Sequence, residues 1–169
     1  MHSLACHPQS APGAVHRLQA GIERGTGGLS LKFLLQGNLE RLCIPEPRLP
    51  RAVSGLWERT CCEVFVAPAD APTYHEFNLS PSGEWAAHAF RCYREGAMLS
   101  DSALAPRIAV RRGPGQLELE AVIRVEGRRL LIGLAAVIEA ADGSLSYWAL
   151  RHPPGKPDFH HRDAFALEL

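Results

Sequence analysis

Residues 56–85, LWERTCCEVFVAPADAPTYHEFNLSPSGEW, combine aromatic, acidic and amide side chains in a pattern that predicts one β-hairpin. On the first arm Trp57, Arg59, Cys61, Glu63 and Phe65 share one parity, and Cys62, Val64 and Val66 share the other. Successive side chains of a strand point to opposite faces, so one face is small and apolar and the other aromatic and charged. The second arm divides in the same way, with His75, Phe77 and Leu79 on one parity and Tyr74, Glu76, Asn78 and Ser80 on the other. A register that aligns the two polar sets builds a patch of ligand size. A slip of one residue splits the patch between faces, and the two registers are left open by the sequence.

Outward from this hairpin, strand and turn signals alternate to both ends. Ala14 to Arg24 and Leu29 to Leu35 flank Gly25-Thr26-Gly27-Gly28, a hairpin turn by composition. Pro45-Glu46-Pro47-Arg48-Leu49-Pro50 interrupts pairing and predicts an irregular surface loop. Trp85 to Tyr93 continues as a strand behind the Ser80-Pro81-Ser82-Gly83 turn. Leu117, Leu119, Ala121, Ile123 and Val125 alternate with Glu118, Glu120, Val122, Arg124 and Glu126, the period of a half-buried antiparallel strand. Leu130 to Ala141 has the length of a helix as well as of a strand, but Val137-Ile138 and the Asp142-Gly143 turn favour a buried strand feeding Leu145 to Arg151. The expected fold is all-β, a two-sheet antiparallel β-sandwich forming a single domain over residues 1–169 and closed by Ala164 to Leu169.

The totals narrow the partners. Lys plus Arg and Asp plus Glu each number 18, so the basic excess of a nucleic-acid binder is missing. No stretch approaches the ~20 apolar residues of a membrane span, and the first residues, MHSLACHPQSAPG, lack a basic segment followed by an apolar run. A cytoplasmic protein without nucleic-acid or membrane partners is expected. The five cysteines, Cys6, Cys43, Cys61, Cys62 and Cys92, show no C-x-x-C spacing and read as reduced packing residues. Oligomeric state is left open.

The hairpin, together with Tyr147-Trp148-Ala149-Leu150-Arg151-His152-Pro153 and Gly155-Lys156-Pro157-Asp158-Phe159-His160, resembles the bacterial DOMON-like family, which is related to the family 9 carbohydrate-binding modules. The resemblance covers nearly the whole chain and implies a jelly-roll-like sandwich that binds a sugar or, in some branches, haem. In the sugar-binding relatives a tryptophan stacks on the sugar and an acidic residue accepts its hydroxyl protons, and Trp57 and Glu63 occupy the matching places. Trp148 and Phe159 are candidates for a second stacking aromatic.

A sugar offers an apolar C–H face and a rim of hydroxyls, so its site needs a flat ring beside fixed donors and acceptors. Trp57 supplies the ring, Glu63 and Glu76 the acceptors, and Arg59, Asn78, Arg91 and Arg151 the donors. The competing expectation is that these charges pair with one another across strands, for about 0.2 to 1 kcal/mol each. The segment Lys156 to Asp163 is expected to be a rim loop bearing Asp158, Phe159 and His160, with Asp158 capping local N–H groups in an Asx turn. Arg151 and Lys156 beside it leave room for an anionic sugar acid or sugar phosphate. Asp158, His160, His161 and Asp163 specify no metal, and no cofactor is expected. The carboxylate pair also fits a glycosidase, and Met98, His75, His88 and His152 are the available haem ligands. The expected function is non-catalytic binding of a small carbohydrate or related polar metabolite. The alternatives, in order, are a protein-interaction or structural module without a small ligand, and a haem-binding DOMON domain.

Overall fold

Residues 117–123 show most directly how the sequence makes the sheets. Leu117, Leu119, Ala121 and Ile123 are buried, while Glu118 and Glu120 face outward and meet Lys32 and Arg111 on the flanking strands, with Lys32 Nζ 2.7 Å from Glu118 and Arg111 3.1 Å from Glu120. The computed structural model describes residues 1–99 and 101–169. Its strands are β1 (His2–Ser3), β2 (Ala5–Cys6), β3 (Val15–Gly25), β4 (Gly28–Gly37), β5 (Cys61–Pro68), β6 (Tyr74–Leu79), β7 (Trp85–Cys92), β8 (Glu95–Met98), β9 (Arg107–Gly113), β10 (Gln116–Ile123), β11 (Leu130–Glu139), β12 (Leu145–Ala149) and β13 (Leu167–Glu168). One sheet has the order β1-β3-β4-β10-β9. The other runs β2-β12-β11-β5-β6-β7-β8, with β13 on β11. All the strand ladders are antiparallel, and the two sheets pack face to face as a β-sandwich.

The intersheet core joins Leu18, Leu31, Phe33 and Leu119 of the first sheet to Cys62, Val64, Val66, Phe77, Leu79, Ile132 and Leu134 of the second. A second apolar cluster lies on the outer face of the second sheet, where Phe65, Ala67, Tyr74, Ala135 and Val137 pack under Phe159, Ala164 and Phe165 from the C-terminal segment. This explains why 130–139 shows no alternation: β11 is central in its sheet and covered on both faces. The β3–β4 turn needs glycine at Gly28, whose φ of +126° is left to glycine and whose Cα faces the Ile123 carbonyl across the β10 ladder too closely for any side chain.

Two expectations need correction. The first arm of the hairpin begins at Cys61, not at Trp57: Leu56–Glu58 form a single 3-10 turn entered through Gly55, whose φ is +79°. The parity assigned to Trp57 therefore does not hold, because a 3-10 turn advances side chains by about 120° per residue instead of alternating them, whereas Arg59 is already extended. The closing strand is also shorter than Ala164 to Leu169. Arg162–Ala164 form another 3-10 turn, Leu167–Glu168 pair with Ile132 and Leu131, and Leu169 exchanges backbone hydrogen bonds with Leu130 at 2.9 Å. Among the described residues no helix is long and apolar enough to cross a membrane.

Candidate functional site

The β5–β6 register pairs Glu63 with Asn78 and Phe65 with Glu76, so the two polar sets share the outer face of the second sheet. The opposite parity, with Cys62, Val64, Val66, Phe77 and Leu79, goes to the intersheet core. Across β6–β7, Glu76 lies opposite His88 and Tyr74 opposite Phe90, which extends the same face. On the far side of β5, β11 contributes Val137, and β12 contributes Leu145 and Tyr147. Of these side chains, Glu63, Glu76, His88, Phe90, Val137, Leu145 and Tyr147 floor a cavity of about 490 Å³, within the range of about 300 to 1,000 Å³ usual for small-ligand sites. Trp57 and Glu58 of the 3-10 turn and Pro157, Phe159 and His160 of the C-terminal segment also line it, as does Arg94 from the β7–β8 turn.

The C-terminal lining is tied down by a polar clamp. Tyr93 Oη donates to Asp158 Oδ2 at 2.5 Å, and Arg94 Nη2 donates to Asp158 Oδ1 at 2.9 Å. Asp158 Oδ1 also accepts the His160 backbone N–H at 3.1 Å, an Asx turn that fixes the local path. Burial opposes the ionised form of Asp158, yet the Tyr93 hydrogen bond and the Arg94 guanidinium hold its carboxyl below the ordinary range. Arg94, with φ +57°, is the one non-glycine residue at positive φ among the described residues, a conformation costing of order 1 kcal/mol or more that is repaid by these contacts. The Tyr74 hydroxyl accepts the Arg94 backbone N–H at 3.0 Å and lies 2.9 Å from His160 Nδ1. With the Tyr74 proton donated to that nitrogen, the His160 proton sits on Nε2, 3.7 Å from Glu76 Oε2. Burial pushes the His160 pKa down to about 4, so the ring is neutral at pH 7.

The floor carries an electrostatic load. Glu63 is 3% exposed, and burial together with the neighbouring Glu76 charge holds its carboxyl well above the ordinary range. Glu76 is also raised by burial, offset in part by the Asn78 Nδ2 hydrogen bond at 2.6 Å and by the charge of Arg94. Burial lowers His88. Glu63 Oε1 and His88 Nδ1 are buried without a hydrogen-bond partner, and both residues line the cavity. Trp57 is 40% exposed and meets the His88 ring edge to face at 5.7 Å between centroids.

Of the residues named from sequence, Trp57, Glu63, Glu76, Phe159 and His160 line this cavity. Asn78 is fully buried beneath it and reaches Glu76, and Asp158 braces the lining through Arg94 and Tyr93. The others lie elsewhere. Arg59 pairs with Glu139 at 3.0 Å and the exposed Arg91 with Glu95 at 2.5 Å. Arg151 hydrogen-bonds the Asp163 carbonyl at 3.4 Å outside the lining, and Lys156 is exposed outside it as well. Trp148 has the opposite parity to Tyr147, so it enters the intersheet core, where Nε1 donates to Ser146 Oγ at 2.9 Å. Sequence reasoning missed Tyr147, Phe90 and Arg94 and weighed His88 only as a haem ligand. The cross-strand pairing of His88 with Glu76 follows once the hairpin register is known, whereas nothing in the sequence points to Arg94. His88 and Met98 are direct neighbours on β7 and β8, side by side and not opposed as two axial ligands would be, and His152 is bound to the Ala5 carbonyl at 2.8 Å. Among the described residues no cluster of three or more His, Cys, Asp or Glu has the arrangement of a metal site.

Fold and site together define a β-sandwich with a small-molecule-sized cavity on the outer face of one sheet. No protein-family model matches the chain, and no curated protein matches it in sequence. Among solved structures the chain is similar to a "putative carbohydrate-binding protein" from Bacteroides uniformis ATCC 8492, with a TM-score of 0.67 and 16% identity, covering 96% of this chain and 82% of that one. At that identity the likeness establishes a shared fold.

Proposed function

We propose that the protein is a non-catalytic binding domain for a small carbohydrate or related polar metabolite, held in the cavity between Trp57 and the C-terminal segment. The observation that carries this reading is that two residues lining one cavity beside a half-exposed tryptophan, Glu63 and His88, each hold a buried polar atom without a partner, Oε1 and Nδ1. Leaving a buried acceptor unsatisfied costs about 1 to 3 kcal/mol, a cost that a ligand hydroxyl or amine would remove. Trp57 supplies a ring for a C–H face, and Tyr147, Phe90 and Phe159 complete an apolar surround. The sandwich shared with the Bacteroides protein and the resemblance to the DOMON-like family support the same ligand class.

The buried carboxylate pair favours a second reading, glycoside hydrolysis. Glu63 and Glu76 are diagonal neighbours on adjacent strands of one floor, whereas a hydrolase places its acid and its base or nucleophile on either side of the scissile bond. Binding therefore ranks first. Calorimetry against a panel of sugars, sugar acids and nucleotide sugars tests it, with NMR of the recovered ligand to detect turnover. Trp57→Ala is expected to weaken any binding at least about tenfold, equivalent to about 1.4 kcal/mol. Unchanged affinity in that variant would remove Trp57 from the site, and hydrolysed ligand would favour the second reading.

A further inference from the structure

Building on the reading of this cavity as a ligand site, we propose that its floor is made to receive a protonated amine, so that the preferred ligand is an amino sugar and not a neutral or acidic one. The titratable and charged groups that face the floor come from every surrounding element: Glu63 from β5, Glu76 from β6, His88 from β7, Arg94 from the β7–β8 turn, Tyr147 from β12, Glu58 from the 3-10 turn and His160 from the C-terminal segment. Three are carboxyl groups and one is a guanidinium, and that guanidinium is already engaged by Asp158 at 2.9 Å. The cations that would have suited an acidic sugar, Arg151 and Lys156, lie outside the lining, and Arg59 is committed to Glu139. The cavity thus has acceptors in surplus and no free cation among its described lining residues.

Glu63 is the independent sign that a ligand completes this arrangement, because it is 97% buried, lines the floor and leaves Oε1 without a partner. A neutral hydroxyl donates one hydrogen bond and brings no charge. A primary ammonium donates three and accepts none, so it can serve Glu63 and the diagonally adjacent Glu76 together while its charge offsets their repulsion. A carboxylate or phosphate at the same position adds a like charge to a buried pair. Burial and the Glu76 charge raise the Glu63 carboxyl, so ammonium binding ionises it and releases a proton to solvent. Burial keeps His88 and His160 neutral, and they add no opposing charge at pH 7.

The test is calorimetry of the full chain at about pH 7 with D-glucosamine, D-galactosamine and D-mannosamine against the parent hexoses and their N-acetyl derivatives, in two buffers of different ionisation enthalpy. At least one amino hexose is expected to bind about tenfold or more tighter than its neutral counterparts, with an apparent enthalpy that shifts between buffers and reports net proton release. Glu63→Gln, which keeps the shape and can donate a hydrogen bond, is expected to bring the three forms to within about twofold of each other. The proposal is overturned, with the sugar site left standing, if neutral or N-acetyl sugars bind as well as the amines. The same holds if no proton is released, or if the amine preference survives in Glu63→Gln. Absence of binding by every sugar overturns both this proposal and the function on which it rests.

Discussion

Glu63→Gln should make the folded protein more stable, and increasingly so as pH rises. The folded chain holds the Glu63 proton far above the ordinary value of 4.5, because the side chain is buried and faces the Glu76 charge. Between those two values the unfolded chain has lost a proton that the folded chain keeps. Stability therefore falls as pH rises through that window, by about 1.4 kcal/mol per pH unit for one such group. Glu76 adds a slope of the same sign, while His75, His88 and His160, all lowered by burial, add the opposite slope below their ordinary value of 6.5. Wild type and variant share the histidine contributions, and because Glu63 and Glu76 interact, the difference between them reports Glu63 as a member of that pair. Glutamine stands in for the protonated carboxyl, and the two proteins should be nearly equal at about pH 4.5. Above it the advantage of the variant should grow by about 1.4 kcal/mol, or about 3 to 6 °C in Tm, per pH unit for a domain of this size. Thermal denaturation of both proteins from about pH 4.5 to about pH 7.5 measures it. A difference that stays flat with pH would refute the reasoning, since it would mean that Glu63 is ionised in the folded chain from the ordinary range upward.

Phe65→Ala should cost about 3 to 5 kcal/mol, because the fully buried ring packs against Tyr74, Phe159, His160 and Phe165 at centroid distances of 5.1 to 6.5 Å. Denaturant titration gives the loss, and limited proteolysis should show early cleavage within residues 150–166. Tyr74→Phe should cost about 1 to 3 kcal/mol by removing the hydroxyl between the Arg94 N–H and His160 Nδ1. Imidazole NMR should then show His160 leaving the single Nε2–H tautomer, and an unchanged tautomer would place its control elsewhere.

The sandwich was legible where one face is wet. Residues 117–123 alternate cleanly because their outer glutamates meet water and the cations of β4 and β9. The run at 130–139 had to be settled by its length and by Asp142-Gly143, because the C-terminal segment hides its outer face. Trp57 looked like a strand residue because its spacing to Cys61 and Glu63 fits a period of two, yet the left-handed Gly55 starts a 3-10 turn that carries the ring to the cavity rim. Of the adjacent aromatics Tyr147 and Trp148, the pairing of β12 with β11 decides which one faces the site, and the composition of the segment gives no preference. Arg94 was out of reach, since its meaning depends on Asp158, 64 residues away in sequence.

The strongest ground for treating the floor as functional is its contrast with its own neighbours. Positions 65 and 137 lie on the same outer face as 63 and 76, and Phe65 and Val137 there join an apolar cluster beneath Phe159 and Phe165. Apolar side chains at 63 and 76 would extend that cluster over β5 and β6 and remove two carboxyl groups whose burial opposes folding at neutral pH. Replacing buried charges by packed apolar groups is commonly neutral or stabilising. The chain instead keeps Glu63 with an unpartnered oxygen, supports Glu76 with Asn78, and commits a left-handed Arg94 to bracing the segment that encloses them. Stability alone does not account for a buried Glu63 with an unpartnered oxygen beside Glu76, and the proposed ligand would supply the missing donor.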